Sequence, residues 1–245
     1  MAAIRCSDVT VAILAGGEGT RLRPLTTVFP KPLVPLGDKP IIEVLLRQLA
    51  SHGFSRVTLC TGYLSELIMA VCGDGSPLGL SISYVKEPQR LGTAGPLTLV
   101  EGLSDPFFVM NGDLLTTLDF AAMLEHHLAN GAAATIAVTP RAVPIEFGLV
   151  ESDAQGRFIR YKEKPTFRFE VSMGAYVLSR RALAQLQPGT RCDMPELITR
   201  LQGSGEPVSC YRTDCYWLDI GRLEDYGVAQ EHYAQDQARF LQPKR

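Results

Sequence analysis

The stretch AILAGGEGTRLRPLT, from Ala12 to Thr26, decides how the chain is read. An apolar run that reads as a buried strand delivers the chain to Gly16, Gly17 and Gly19. Without Cβ atoms at that point a ligand can lie against the backbone, and the N–H groups of such a loop form an anion-binding concavity. Thr20, Arg21 and Arg23 follow at once and bring positive charge to the same place. Gly-Gly alone is only a turn signal; glycines followed by arginines point to a highly anionic ligand. Two familiar phosphate loops are excluded. The dinucleotide fingerprint needs a glycine where Leu22 stands, and the P-loop needs a Gly-Lys-Ser/Thr ending that is absent.

Outward from that loop the first half alternates between strand and helix patterns. VTVAIL, RVTLCTG, LSISYV, FFVMNGD and AAATIAVTP read as strands. PIIEVLLRQLASHG, LSELIMAVCG, TAGPLTLVEGL and LDFAAMLEHHLANG read as helices, with Gly53 and Gly131 as stops. This alternation predicts an α/β fold: a Rossmann-like, doubly wound, mostly parallel sheet. Ligands bind such sheets in the crevice beyond the carboxyl ends of the strands.

The second half reads differently. FGLVESDAQGRFIRYKEKP predicts two strands around a turn at Gly156, and VSMGAYVLSRRALAQLQPG a strand entering a helix. VSCYRTDCYWLDIG predicts a strand pair or a bent strand, and RLEDYGVAQEHYAQDQARF a closing helix. No linker separates the halves. The expectation is one domain over 1–245, with a first part over about 1–135 and an elaborated C-terminal part over about 136–245.

Composition narrows the function classes. A formal net charge of −2 over 245 residues gives no footprint for nucleic acid, so any polyanion is held locally. The six cysteines form no C-x-x-C pair and read as reduced packing thiols, which predicts a cytoplasmic protein. The run Val9–Ala15 is too short for a signal peptide, and no apolar stretch approaches membrane-spanning length.

A second charged element follows the loop. In FPKPLVPLGDKP, Pro30 and Pro32 restrict the backbone around Lys31, holding its ammonium where a phosphate can use it. LAGGEGTRLRPLT followed by PKPLVPLGDKPII resembles the signature of the sugar-1-phosphate nucleotidyltransferases, the NDP-sugar pyrophosphorylases. The resemblance covers nearly the whole chain: EPQRLGTAGPL, NGD at 111–113, FGLV at 147–150, EKP at 163–165 and WLDIG at 217–221 fall in the family's order.

The resemblance implies that an NTP and a sugar 1-phosphate give an NDP-sugar and pyrophosphate by in-line attack on the α-phosphorus. A phosphate monoester has a second pKa of about 6, so the nucleophile is already ionised and no general base is required. That agrees with four histidines, His52, His126, His127 and His232, which read as helix-surface residues and form no triad. By the same resemblance Arg21, Lys31, Asp113, Lys164 and Asp219 are the catalytic set. The nucleotide is wrapped by Leu14, Ala15, Gly16, Gly17, Gly19, Thr20, Arg21 and Lys31. Glu87, Gly92, Thr93, Ala94, Asn111 and Gly112 complete that set. Gly148, Glu163, Lys164 and Gly174 hold the sugar phosphate. Asp113 and Asp219 converge on one Mg²⁺, which prefers carboxylates, phosphate oxygens and water. Ser172 and Met173 stand where close relatives commonly carry Asn-Ala.

The LGTAGP segment is similar to the loop of guanylyltransferases acting on mannose 1-phosphate and of short relatives acting on heptose 1-phosphate, which favours GTP. The chain ends soon after Asp219, without hexapeptide repeats, as the short type does. Another NTP with a glucose-type sugar, and a non-catalytic sugar-nucleotide-binding regulator, are the alternatives. The partners expected are small molecules, with neither nucleic acid nor membrane; a homodimer is the assembly left open.

Overall fold

A computed structural model describes residues 4–241. Seven strands form the main sheet: β1 (Thr10–Ala15), β2 (Arg56–Thr61), β3 (Ser81–Lys86), β4 (Phe107–Asn111), β5 (Ala134–Pro144), β6 (Thr166–Leu178) and β7 (Val208–Arg212). Their order is β7-β5-β6-β4-β1-β2-β3. Strands β4, β1, β2 and β3 are mutually parallel, as are β7 and β5; only β6 runs against both its neighbours. The mostly parallel α/β sheet is therefore as expected.

Burial on both faces explains why these strands read as continuous apolar runs. In β1 and β4, Val11, Ile13, Phe108 and Met110 point to one face, where they meet Leu45 and Leu49 of α1 (Ile41–Ser51) and Phe120 and Met123 of α3 (Phe120–Asn130). Ala12, Phe107 and Val109 point to the other, where they meet Met194, Leu197 and Leu201 of α4 (Met194–Gly203). A third cluster joins Leu22, Leu36 and Ile220 to Tyr233 and Phe240 of α5 (Leu223–Gln235) and α6 (Gln237–Leu241). The C-terminal helices thus pack under the segment that follows the glycine loop. Among the described residues no helix is long and apolar enough to cross a membrane.

Several elements differ from expectation. The helix read in TAGPLTLVEGL is a short 3-10 turn, Gly95–Leu99. The amides of Ala94 and Gly95 bond to the carbonyl of Cys192 at 2.9 and 3.1 Å, and the turn stops at Val100, whose backbone is extended and whose amide bonds back to Leu97 at 3.3 Å. The helix after β6 is likewise a 3-10 turn, Arg180–Gln185. The VSCYRTDCYWLDIG segment forms two strands in different sheets: β7 pairs with β5, while Trp217–Asp219 pairs antiparallel with Leu114–Thr116. The closing helix is split at Asp236 into α5 and α6. Helix α4 has no counterpart in the sequence reading.

His127 also departs from its expected surface position. It is 2% exposed, with Nδ1 2.8 Å from the Thr135 hydroxyl and Nε2 3.2 Å from that of Ser179. Burial first, then the nearby Arg181 guanidinium, push this imidazole from 6.5 down to about 4. Unfolding restores the ordinary value, so between those limits the unfolded chain binds the extra proton and stability falls as pH falls from about 6.5 to about 4. His127→Gln should show a shallower decline of the urea midpoint than wild type over that range; parallel declines would refute the assignment.

Candidate active site

The carboxyl ends of β1, β3 and β4 open on a cavity of about 470 Å³. Its floor is Leu14, Ala15, Gly16 and Gly17; Asn111, Gly112 and Asp113 form one wall, and Glu87, Gly92 and Thr93 another. These are eleven of the expected site residues once Lys31, at the mouth, is added. Backbone crowding explains the glycines. Gly62, after β2, lies so close that its Cβ would stand 2.9 Å from the Gly16 carbonyl oxygen. A Cβ on Gly16 would collide with the Glu87 carboxylate.

Gly19 sits at φ +59° and opens the turn Thr20–Leu22. Its carbonyl accepts from the Thr26 hydroxyl at 2.7 Å, and a Cβ there would be 2.9 Å from Lys31 Cβ. The glycine loop and the proline-flanked lysine are thus packed together. The Lys31 side chain is 12% exposed, and its ammonium pairs with Asp113 Oδ2 and lies 3.8 Å from Asp219 Oδ1.

Sheet register brings the two aspartates together. Asp113 directly precedes Leu114–Thr116, and Asp219 lies opposite Leu114 in the antiparallel pair. The Ile220 amide donates to the Asp113 carbonyl at 3.2 Å. Burial first, then the Asp113 carboxylate, raise Asp219 above the usual carboxylate value; Lys31 and Arg21 oppose the rise. Arg21 approaches from the other side: a Cβ on Gly221 would be 3.5 Å from both Arg21 Nη2 and Asp219 Oδ2.

Asp113 Oδ1 is buried and has no hydrogen-bond partner. An orphaned carboxylate oxygen beside a second carboxylate, already facing a cation, fits Mg²⁺. No group of three or more His, Cys, Asp or Glu side chains is placed to hold a metal among the described residues. Two carboxylates would therefore share the ion with phosphate oxygens and water.

The loop after β3 is held from far along the chain. Gly92 takes φ +81°, and its Cβ would be 2.5 Å from the Cys192 carbonyl oxygen. The Thr93 amide donates to Asp193 Oδ1 at 3.1 Å, and the Thr93 hydroxyl accepts from the Met194 amide at 2.7 Å. Ala94 is fully buried and does not reach the cavity. The Glu87 carboxylate accepts from the Leu91 amide at 3.0 Å, and burial raises it.

Other expected residues lie elsewhere. Gly19, Thr20, Arg21 and Asp219 do not line the cavity, and neither do Gly148, Glu163 and Lys164. The last three sit on an arm formed by the outer parts of β5 and β6 and by the hairpin Leu149–Ser152/Phe158–Lys162. Gly148 faces Tyr161. Lys164 is exposed at φ +37°, a strained conformation for a non-glycine residue. Gly174 alone of that set touches the cavity wall. At φ +71° its Cβ would stand 2.5 Å from Asn111 Nδ2. Sequence reasoning missed Glu18, Pro32, Arg90 and Arg191 on the rim. Arg90 pairs with Glu18, and Arg191 with Asp193 at 2.8 Å. Arg191 joins the cavity only because its segment folds back onto the Gly92 loop, a signal that no local spacing carries.

The sequence pattern described as nucleotidyl transferase matches residues 10–236. The chain belongs to the nucleotidyl transferase family. It is 36% identical over 227 residues to a Mycobacterium tuberculosis protein named mannose-1-phosphate guanylyltransferase, covering 89% of this chain and 63% of that one. It is 32% identical over 237 residues to a Synechocystis UTP–glucose-1-phosphate uridylyltransferase, covering 89% and 61%. The chain thus spans under two thirds of these relatives' length. The crystal structure of HddC from Yersinia pseudotuberculosis complexed with GMP-PN superposes with a TM-score of 0.70 at 26% identity, over 92% of this chain and 99% of that one.

A side chain at 174 must adopt a left-handed backbone and displace Asn111. Gly174→Ala should cost about 1–2 kcal/mol from the backbone alone, read by urea unfolding. It should also raise the nucleotide dissociation constant, read by calorimetry; unchanged binding would separate Asn111 from the nucleotide.

Proposed function

We propose that the chain transfers a nucleotidyl group from an NTP, preferably GTP, to a mannose- or heptose-type sugar 1-phosphate, releasing pyrophosphate. The observation that carries this reading is the convergence of Asp113 and Asp219 on Lys31, which with Asp113 lines a glycine-floored cavity. No histidine lines that cavity, which suits a nucleophile that is already ionised.

In this reading Gly16 and Gly17 let the nucleotide lie on the backbone, and Lys31 pairs with the transferred phosphate. Arg21, beside Asp219, neutralises the departing pyrophosphate. Catalysis rests on positioning and charge neutralisation. Asp113 and Asp219 would hold Mg²⁺, which supplies charge stabilisation at phosphoryl oxygens when bound. Lys31 is then released from the carboxylates toward substrate. The part over about 136–245 supplies Lys164 for the sugar phosphate and Glu163 for sugar hydroxyls, with room left by Gly148 and Gly174. The six cysteines, all free thiols, favour a cytoplasmic setting.

Guanine is favoured by the names of the similar proteins and by Glu87. A carboxylate facing Gly16 suits the two adjacent N–H donors of guanine, where adenine offers one donor and one acceptor. A site that hydrogen-bonds such groups discriminates strongly against a base lacking them. The uridylyltransferase relative makes a pyrimidine the outcome to exclude.

Pyrophosphate release, measured for each NTP against mannose, heptose, glucose and glucosamine 1-phosphates, tests the reading. Activity should require Mg²⁺ and peak with GTP. Asp113→Asn should lower kcat by about 10²-fold or more, the scale for losing a preorganised electrostatic group. Binding of NDP-sugars without pyrophosphate release from any pair would instead identify a regulator.

A further inference from the structure

The cavity rim holds an ion pair that the reaction assigned above does not use. Glu18 follows Gly17 in the glycine loop after β1, and Arg90 lies in the loop after β3; both line the cavity, and their side chains pair. In the sheet β2 lies between β1 and β3, so the pair spans the end of β2. Local structure holds Arg90 in place. Gln89 Nε2 donates to the Gly189 carbonyl at 3.1 Å, and Leu91, fully buried, donates its amide to the Glu87 carboxylate at 3.0 Å. The chain on either side of Arg90 is therefore tied down, while its own side chain stays 74% exposed.

Glu18 is the odd member of its loop. Backbone amides in such a loop favour phosphate, whereas a carboxylate beside phosphate repels it. The lining carries Glu18, Glu87 and Asp113 against Lys31, Arg90 and Arg191, so it has no surplus of positive charge for a polyanion. Each basic side chain is held on a carboxylate: Lys31 on Asp113, Arg191 on Asp193 and Arg90 on Glu18. Asp193 also accepts from the Thr93 amide, which supports the cavity wall, and Asp113 is assigned to the metal. The Glu18 carboxylate has no other bond among the described residues. An ion pair this exposed gains little from its own attraction. A guanidinium can exchange it for phosphate, whose oxygens it meets in a bidentate fork.

We propose that Arg90 binds the pyrophosphate portion of the NTP, with Glu18 as the counter-ion that holds its guanidinium over the glycine loop until phosphate takes it. The inference rests on the nucleotidyl-transfer reading and deepens it. Lys31, at the Asp113 wall, takes the transferred phosphate; Arg90, over the glycine loop, takes the two that leave. It shares their charge with Arg21, which lies off the lining beside Asp219. When pyrophosphate departs, Glu18 recovers the guanidinium.

Calorimetry on the full chain, with Mg²⁺ and without sugar phosphate so that no turnover occurs, tests this with GTP, GMP and inorganic pyrophosphate as probes. Arg90→Gln should weaken GTP and pyrophosphate about tenfold or more, the scale for a hydrogen bond to a charged group, and leave GMP unchanged. Arg90→Lys should recover part of that loss, because it keeps the charge but not the fork. Glu18→Gln should instead tighten GTP and pyrophosphate about threefold, the scale of an exposed ion pair, because it releases the guanidinium and removes a repelling charge. Arg47→Gln breaks the Glu43 pair on α1 and also removes one positive charge; it should match wild type with all three probes. Thermal unfolding by circular dichroism confirms that each variant is folded. Equal losses of GTP and GMP affinity in Arg90→Gln would overturn the inference, because that is the signature of a contact to base or ribose. So would unchanged pyrophosphate binding in Arg90→Gln, or weaker binding in Glu18→Gln. A folded wild type that binds none of the probes would overturn the nucleotidyl-transfer reading itself, and the inference with it.

Discussion

The structure around the cavity depends on one cation placed between two carboxylates. Asp113 and Asp219 come from strands a hundred residues apart and are brought side by side by sheet register. Burial first, and then the neighbouring Asp113 carboxylate, raise Asp219. The Lys31 ammonium, from a third segment, offsets it. Three remote parts of the chain must therefore reach their places before any one carries its charge at low cost. Proline on both sides of Lys31 and the packing of Gly19 against its Cβ limit where that ammonium can be. The arrangement also suits the reaction proposed for the site, in which a metal would be held by the two carboxylates and Lys31 would pair with phosphate.

Around that point the fold divides rigid from adaptable surface. The glycine floor follows directly from β1, which is packed between parallel strands and buried on both faces. The Gly92 loop, with almost no secondary structure of its own, is fixed by hydrogen bonds from Cys192, Asp193 and Met194. Those bonds also satisfy the start of α4, so the same contacts stabilise a helix end and shape the cavity wall. The arm differs: its backbone pairs in ribbons while its side chains stay in solvent.

Pattern in the sequence is legible where a single period or motif answers to a single local force. The alternation of buried strands and amphipathic helices up to β5 predicts the sheet, because an apolar face must be covered. It fails at TAGPLTLVEGL, where apolar residues recur at helical intervals but the chain makes one 3-10 turn and becomes extended at Val100. It fails again at His127, whose helical position looks polar but whose imidazole bonds to hydroxyls from two other strand ends.

The residue types and their order determined this protein's family, its parallel sheet, the glycine floor and the candidate charges Lys31, Asp113 and Asp219, because each depends on local spacing or an unbroken motif. Only the tertiary structure decided that the two aspartates share one lysine, that Arg191 and Arg90 reach the rim, and that Ala94 does not. It also decided that Lys164 stands on an exposed apolar arm. These are consequences of strand register and of chain segments folding back over a hundred residues. Coulombic and packing forces act across space, and nothing in local sequence spacing encodes those distances.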